Sequence, residues 1–274
     1  MIFKEKSIFI TGGSRGIGLA IAKRLAKDGA HITIASKTDK PHPTLEGTIH
    51  TAVAEIEEAG GKGLAVQMDI RDETQVEAAI DQTVKTFGGI DILINNASAI
   101  FLAGVCETPM KRFDLMNQVN MRGSYMTAQK ALPYLAKADN PQILTLSPPI
   151  DLSPRWFENH TAYTLSKYGM SMCTIGLAAE FKDKGIAANS LWPQTLIFTA
   201  AMKMIGNIKP ENCRSEEIVA DAAYAILKRN SSEPANTGNF YIDEDVLKEE
   251  GIKDFSGYAI DPEKPLIRDL YLSD

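Results

Sequence analysis

Cysteine is scarce in this chain: 274 residues hold three, Cys106, Cys173 and Cys213, far apart and without a CxxC pair. That spacing offers neither a disulfide framework nor a zinc site, and it fits a reducing compartment. No apolar run is long enough to span a membrane. The opening MIFKEKSIFI lacks the long apolar segment and small-residue cleavage site of a secretory leader. The final Leu272-Ser273-Asp274 is not a peroxisomal address. A cytoplasmic protein is therefore expected. Positive charge is not in excess either: 29 Lys and Arg face 35 Asp and Glu, for a net charge of −6. With no basic stripe, neither nucleic acid nor an acidic membrane surface is an expected partner.

What is present is a repeating beat. An apolar run, Ser7 to Ile10, leads into TGGSRGIG and a helical pattern that Gly29 stops, and a second apolar run follows from His31 to Ala35. Strand, glycine turn, helix and strand in this order make a βαβ unit. GLAVQMDI, IDILINNAS, PQILTLS, IAANSLWP and NFYID read as further strands. DETQVEAAIDQTVKTFG, residues 112–135 and residues 161–182 read as helices. The alternation predicts an α/β fold, a doubly wound parallel sheet of Rossmann type in a single domain. That domain is expected over residues 1–250. The polar, proline-bearing stretch 37–50 reads as a loop. Residues 251–274 show no clear period and are expected to wrap the surface of the same domain, over the substrate mouth or toward a neighbouring subunit.

Thr11 to Gly18 carries the first chemistry. Gly12, Gly13, Gly16 and Gly18 permit a tight turn, so that amides of Ser14, Arg15 and Ile17 and the helix start can face a pyrophosphate. A dinucleotide is the implied cofactor. After the second strand, Ala35-Ser36-Lys37 places no carboxylate for a ribose 2′-hydroxyl, whereas Lys37 and Arg15 suit a 2′-phosphate. NADP(H) is the expected form.

The second chemistry lies in AYTLSK. Tyr163 and Lys167 are four apart and share a helix face. A free phenol ionises near pH ~10, and an adjacent ammonium lowers that toward the working range for proton exchange. Tyr163, Ser166 and Lys167 in YxxSK, together with Asn95-Asn96-Ala97 and Asn120, resemble the short-chain dehydrogenase/reductase family over residues 7 to about 243. The resemblance implies hydride transfer between nicotinamide and a carbonyl or secondary alcohol. It implies that Lys167 also binds the nicotinamide ribose and that Asn120 holds a relay water. It puts Asn96 and Ala97 along the cofactor, Asp69 and Ile70 at the adenine, and Pro193 and Thr195 near the nicotinamide amide, although Gln194 stands where a glycine is usual. Family members commonly pair through the helices near 112–135 and 161–182, so a homo-oligomer, dimer or tetramer, is expected beside a small-molecule substrate. Trp156 and Phe157 suggest an apolar substrate cavity.

One position departs from the family. Its strand normally ends in two polar residues, the second being a catalytic serine, and here these are Ser147 and Pro148. Proline has no hydroxyl and no N–H to offer a substrate carbonyl. Ser147 is the favoured clamp, with Ser153, or Tyr163 acting alone, left open. Enoyl-type C=C reduction and a catalytically idle NADPH-binding protein are the competing functions.

Overall fold

The computed structural model describes residues 1–41, 43, 45–200, 202 and 208–273. Among them, strands β1 (Ser7–Thr11), β2 (His31–Ser36), β3 (Lys62–Gln67), β4 (Ile92–Asn95), β5 (Gln142–Thr145), β6 (Ala187–Trp192) and β7 (Phe240–Ile242) form one parallel sheet. Its order is β3-β2-β1-β4-β5-β6-β7. The order reverses between β1 and β4, and such a switch point opens a crevice at the carboxyl ends of the strands.

The two faces follow from the period of two along each strand. Ile8, Ile10, Ile32, Ile34, Ile92 and Ile94 point to one side. There they meet helices α1 (Gly16–Ala26) and α2 (Ile49–Glu58). Phe9, Ala35, Leu93 and Ile143 point to the other, against α3 (Glu73–Phe87), α5 (Gly123–Leu135) and α6 (Thr161–Phe181). Both faces are covered, which is why the central strands read as unbroken apolar runs. Full burial of a side chain such as Phe9 contributes about 1.5–3 kcal/mol.

Several elements differ from the sequence reading. The stretch 37–50, of which residues 42 and 44 lie outside those described, stops being loop at Thr48. The Thr48 hydroxyl accepts from the Thr51 amide while the Thr51 hydroxyl accepts from the Thr48 amide, a capping box that starts α2. Helices α7 (Glu217–Leu227) and α8 (Asp243–Glu249) also stand where no element was predicted. The helix expected from residue 112 begins at Met110 as α4 (Met110–Asn117) and passes through a π-helical turn, Gln118–Arg122, before α5.

The tail departs most. Rather than only wrapping the surface, it pairs with the chain that follows β6. The Leu196 amide donates to the Ile267 carbonyl, the Asp269 amide donates to the Gln194 carbonyl, and Thr195 opposes Arg268 in an antiparallel bridge. This pairing carries Tyr271 inward until it is 1% exposed.

Candidate active site

A cleft of about 780 Å³ opens at the carboxyl ends of β1 to β4. Its walls include Gly12, Ser14, Arg15, Gly16, Ile17, Lys37, Asp69, Ile70, Asn96 and Ala97, all predicted from sequence. Gly13 and Gly18 sit behind the wall. A Cβ on Gly18 would fall 2.5 Å from the Asn96 side-chain nitrogen, and Gly12 has φ +69 with Ala97 Cα only 2.8 Å from a built Cβ. Asn96 itself is spent on the turn: its Nδ2 donates to the Thr11 and Gly12 carbonyls, each at 3.0 Å. The Asn96 and Ala97 amides donate to the Thr11 hydroxyl. The NNA stretch thus fixes the glycine turn's shape, and Ala97 stays on the wall.

The electrostatics of this end oppose those of the whole chain. Among the described wall residues Asp69 is the one acid, against Arg15, Lys37, Arg71 and Arg112. The Arg71 guanidinium donates to both Asp69 oxygens and, with burial opposing it, holds that carboxyl below its usual range. Arg15 is partly engaged, donating to the carbonyls of Glu46 at 2.7 Å and Gly47 at 2.6 Å. Lys37 is exposed at the rim. Arg71 was missed in the sequence, although it follows the QMDI stretch directly.

Asn120 lies in the π-helical turn, a feature often found at functional sites. Its amide holds Ala99, accepting from the Ala99 N–H at 2.7 Å and donating to the Ala99 carbonyl at 3.0 Å. It also donates to the Ser166 hydroxyl at 2.9 Å, and Ser166 donates to the Tyr163 carbonyl. One side chain therefore joins the cleft wall to the first turns of α6.

Tyr163 and Lys167 are both buried there, at 6% and 2% exposure. Lys167 Nζ donates to the Leu146 carbonyl at the end of β5, at 2.5 Å, and lies 4.9 Å from the Trp192 ring centre. Burial pushes the Lys167 ammonium down to about 7, partly offset by the Asp269 carboxylate. Burial, with Tyr271 and Asp269 adding to it, raises the Tyr163 phenol well above its ordinary value. A phenol so disfavoured as an anion holds its proton at rest.

An aromatic shell surrounds the pair. Tyr271 lies at its centre, with ring centres 5.3 Å from Tyr168, 5.8 Å from Trp156, 5.9 Å from Trp192 and 6.4 Å from Tyr163. It adopts φ 71, rare for a bulky residue and tolerated only where the surroundings impose it. Trp156 and Phe157 pack against this cluster. Neither Asp269 nor Tyr271 was visible in the sequence, since the aperiodic tail carries no motif that announces it.

Pro193 and Thr195 flank Gln194, whose N–H donates to Asp243 Oδ1 at 2.8 Å. Among the described residues, buried Thr195 Oγ1 has no hydrogen-bond partner. The serines fall elsewhere. The Ser147 hydroxyl is 2.9 Å from that of Ser190, which donates in turn to Thr174 well along α6. That placement speaks against the carbonyl clamp expected of Ser147. Ser153 is spent too, its amide and hydroxyl both donating to Asp151 Oδ1. β5 ends at Thr145, and just past it the Ser147 amide turns back to donate to the Thr145 carbonyl.

These features can hold a dinucleotide and exchange a proton at its far end. The short chain dehydrogenase family model matches residues 6–207, and the chain belongs to that family of oxidoreductases. Among its relatives, hydroxysteroid dehydrogenase-like protein 2 of Danio rerio is 58% identical over 97% of this chain, and that of Homo sapiens 55% over 98%. The chain spans 63% of the length of each. A short chain dehydrogenase from Mycobacterium thermoresistibile has a solved structure with TM-score 0.94 and 50% identity, over 99% of this chain and 96% of that one. A Xanthomonas campestris structure, described as a candidate dehydrogenase, has TM-score 0.97 and 55% identity over the whole of both chains.

Proposed function

We propose that this protein is an NADP(H)-dependent oxidoreductase acting between a carbonyl and a secondary alcohol of an apolar substrate. What supports it most is Lys167. Burying an ammonium is costly, and here the cost is met four residues from a buried tyrosine, on a helix that Asn120 ties to the wall of the cleft. NADPH, when bound, supplies the hydride to the carbonyl carbon. Tyr163 gives its hydroxyl proton to the oxygen, and the Lys167 ammonium stabilises the phenolate left behind. The glycine turn would receive the pyrophosphate, Asp69 and Ile70 the adenine, and Lys37, Arg15 and Arg71 the 2′-phosphate. Four cations against one acid on the wall favour the phosphorylated cofactor. Asn120 holds Ala99 and Ser166 in place, so its part is to set Tyr163 against the wall.

The apolar substrate follows from the shell of Trp156, Phe157, Trp192 and Tyr271 about the phenol, and it agrees with the relatives' name. A homo-oligomer is proposed through α5 and α6. Tyr125 on α5, with Leu165, Met172 and Ile175 on α6, leaves apolar side chains between 46% and 56% exposed there.

The test is Tyr163→Phe, assayed with NADPH against a panel of apolar ketones. NADPH binding should persist while turnover falls about 10²-fold or more. Wild-type turnover in that variant would overturn the mechanism and favour C=C reduction.

A further inference from the structure

We propose that Tyr271 holds, at rest, the place that substrate takes against Tyr163, and that residues 270–273 form a strap that must lift to admit it. The proposal rests on the oxidoreductase reading above and names what its substrate has to displace.

Tyr163 is shut off from the cleft. Among the described residues, the walls of the cleft include neither Tyr163 nor Lys167. Ala99, Ile100 and Phe101 belong to those walls and also pack against the buried cluster that holds both Tyr163 and Tyr271. The Tyr271 ring lies 6.4 Å from that of Tyr163, tilted by 35°, and Tyr163 is left 6% exposed. A proton donor must come within hydrogen-bond reach of the substrate oxygen, so a neighbour of Tyr163 has to leave before turnover. Tyr168 stands on α6 and Trp192 closes β6, whereas Tyr271 belongs to no helix or strand and has φ 71. Such a conformation costs free energy that lifting would return.

A latch holds the strap down. Trp192 Nε1 donates to the Leu270 carbonyl at 2.9 Å, and the Tyr271 hydroxyl is 3.2 Å from that of Thr164. Beyond the ring, exposed Ser273 donates its hydroxyl to Asp151 Oδ2 at 2.8 Å and accepts from Arg155 Nη2 at 2.9 Å. Arg268 donates to the Ser273 carbonyl at 2.7 Å. The same Asp151 oxygen accepts from Trp156 Nε1 at 2.8 Å, so the latch reaches the aromatic shell itself. Bonds made at the surface are readily exchanged for bonds to water. The bridge between Thr195 and Arg268 lies outside the strap and can stay closed as it lifts. Tyr271 and Leu272 leave the cluster together, and the faces of Trp156, Tyr168 and Trp192 that touched the ring are bared. A flat apolar group entering there covers them again and recovers the burial. The vacated shell therefore fits a carbonyl compound with such a group beside its carbonyl.

The experiment labels the full chain with 3-fluorotyrosine, assigns the ¹⁹F signals of Tyr163, Tyr168 and Tyr271 with Tyr→Phe variants, and measures exchange by saturation transfer. Tyr271 should exchange with a minor signal that a soluble gadolinium chelate broadens, while Tyr168 stays protected. Ser273→Ala loses two exposed bonds and should raise that minor fraction about fivefold. The proposal is overturned if neither protein shows a minor state, if the fraction is equal in both, or if all tyrosines exchange together as the chain unfolds. The place itself is probed with toluene, which should bind Tyr271→Ala and give a ¹H–¹⁹F Overhauser contact to Tyr163. No complex, or a complex without that contact, overturns the proposal. Should Tyr271→Ala not fold, toluene must enlarge the minor Tyr271 signal of Ser273→Ala, and no enlargement overturns it equally. With NADPH and a ketone that is turned over, Ser273→Ala should lower the ketone KM by the factor by which it raises the minor fraction, at unchanged NADPH affinity. A merely structural role would leave KM in place. The NMR measurements need no turnover: full activity in Tyr163→Phe sinks the oxidoreductase mechanism, while the strap is still judged on its own.

Discussion

At the glycine end of the cleft, short motifs do the building: Thr11 to Gly18 and Asn95 to Ala97 grip each other through Thr11 and Asn96, and Lys37 remains exposed at the rim. At the tyrosine end, α6, the end of β6 and the tail converge, and 107 residues separate Thr164 from the Tyr271 hydroxyl it meets at 3.2 Å. The first region is open and cationic; the second is closed and aromatic. A dinucleotide is largely the same molecule in every enzyme that uses it, so its receptor can be a local, repeated device. A substrate differs from one enzyme to the next, and the aromatic cluster about Tyr163 draws Tyr271 from the aperiodic tail.

The difference can be broken by removing the tail's anchor. Tyr271 is fully buried at φ 71, and Tyr271→Ala keeps the strained backbone while losing the ring. Unfolding in urea should show a loss of about 3–5 kcal/mol. Tyr271→Phe, which forfeits only the bond to Thr164, should lose about 1 kcal/mol. If the two regions are separate devices, NADPH affinity of the folded Tyr271→Ala protein stays within about threefold of wild type, under 1 kcal/mol. A large loss of affinity would show that the tail also holds the glycine end.

The same contrast explains what the sequence discloses. Strand positions could be read because parallel strands covered on both faces are apolar throughout, and the glycine turn because only glycine avoids the clash that a Cβ at residue 12 or 18 would make. Tyr163 and Lys167 could be read because helical spacing alone puts them on one face. Helix α2 was hidden by its polar approach and its Thr48 cap, and α7 and α8 by their place beyond the last recognisable motif. Asp269 and Tyr271 were hidden for a different reason. Their positions depend on a bridge between Thr195 and Arg268, a long-range pairing with no local periodicity. For Ser147 the nearness to a known position could be read but not the contact with Ser190, because spacing says nothing of which way a side chain turns.

A smaller effect sharpens the open end. NADPH should bind about tenfold tighter than NADH, a difference of about 1.4 kcal/mol, by fluorescence titration. Lys37→Asp should invert that order with little change in stability, because the side chain is exposed. Equal affinity for the two cofactors in the unmodified protein would leave the cationic wall without its proposed ligand.

The smallest effect is expected at Ser147, and it tests where the boundary between the regions runs. Its hydroxyl is wholly buried in a chain with Ser190 and Thr174, which ties the end of β5 to β6 and to the middle of α6. Ser147→Ala leaves Ser190 with its bond to Thr174, so the fold should lose about 1 kcal/mol. Turnover with saturating NADPH should fall less than about fivefold, because a hydroxyl engaged within the sheet contributes nothing to a developing oxyanion. An oxyanion donor, by contrast, is worth about 10²–10³ in rate. A loss of that size in Ser147→Ala, with the urea midpoint unchanged, would mean that the serine turns toward Tyr163 when substrate arrives. The Ser147 hydroxyl would then belong to the tyrosine end, and Tyr163 would share the task of holding the carbonyl.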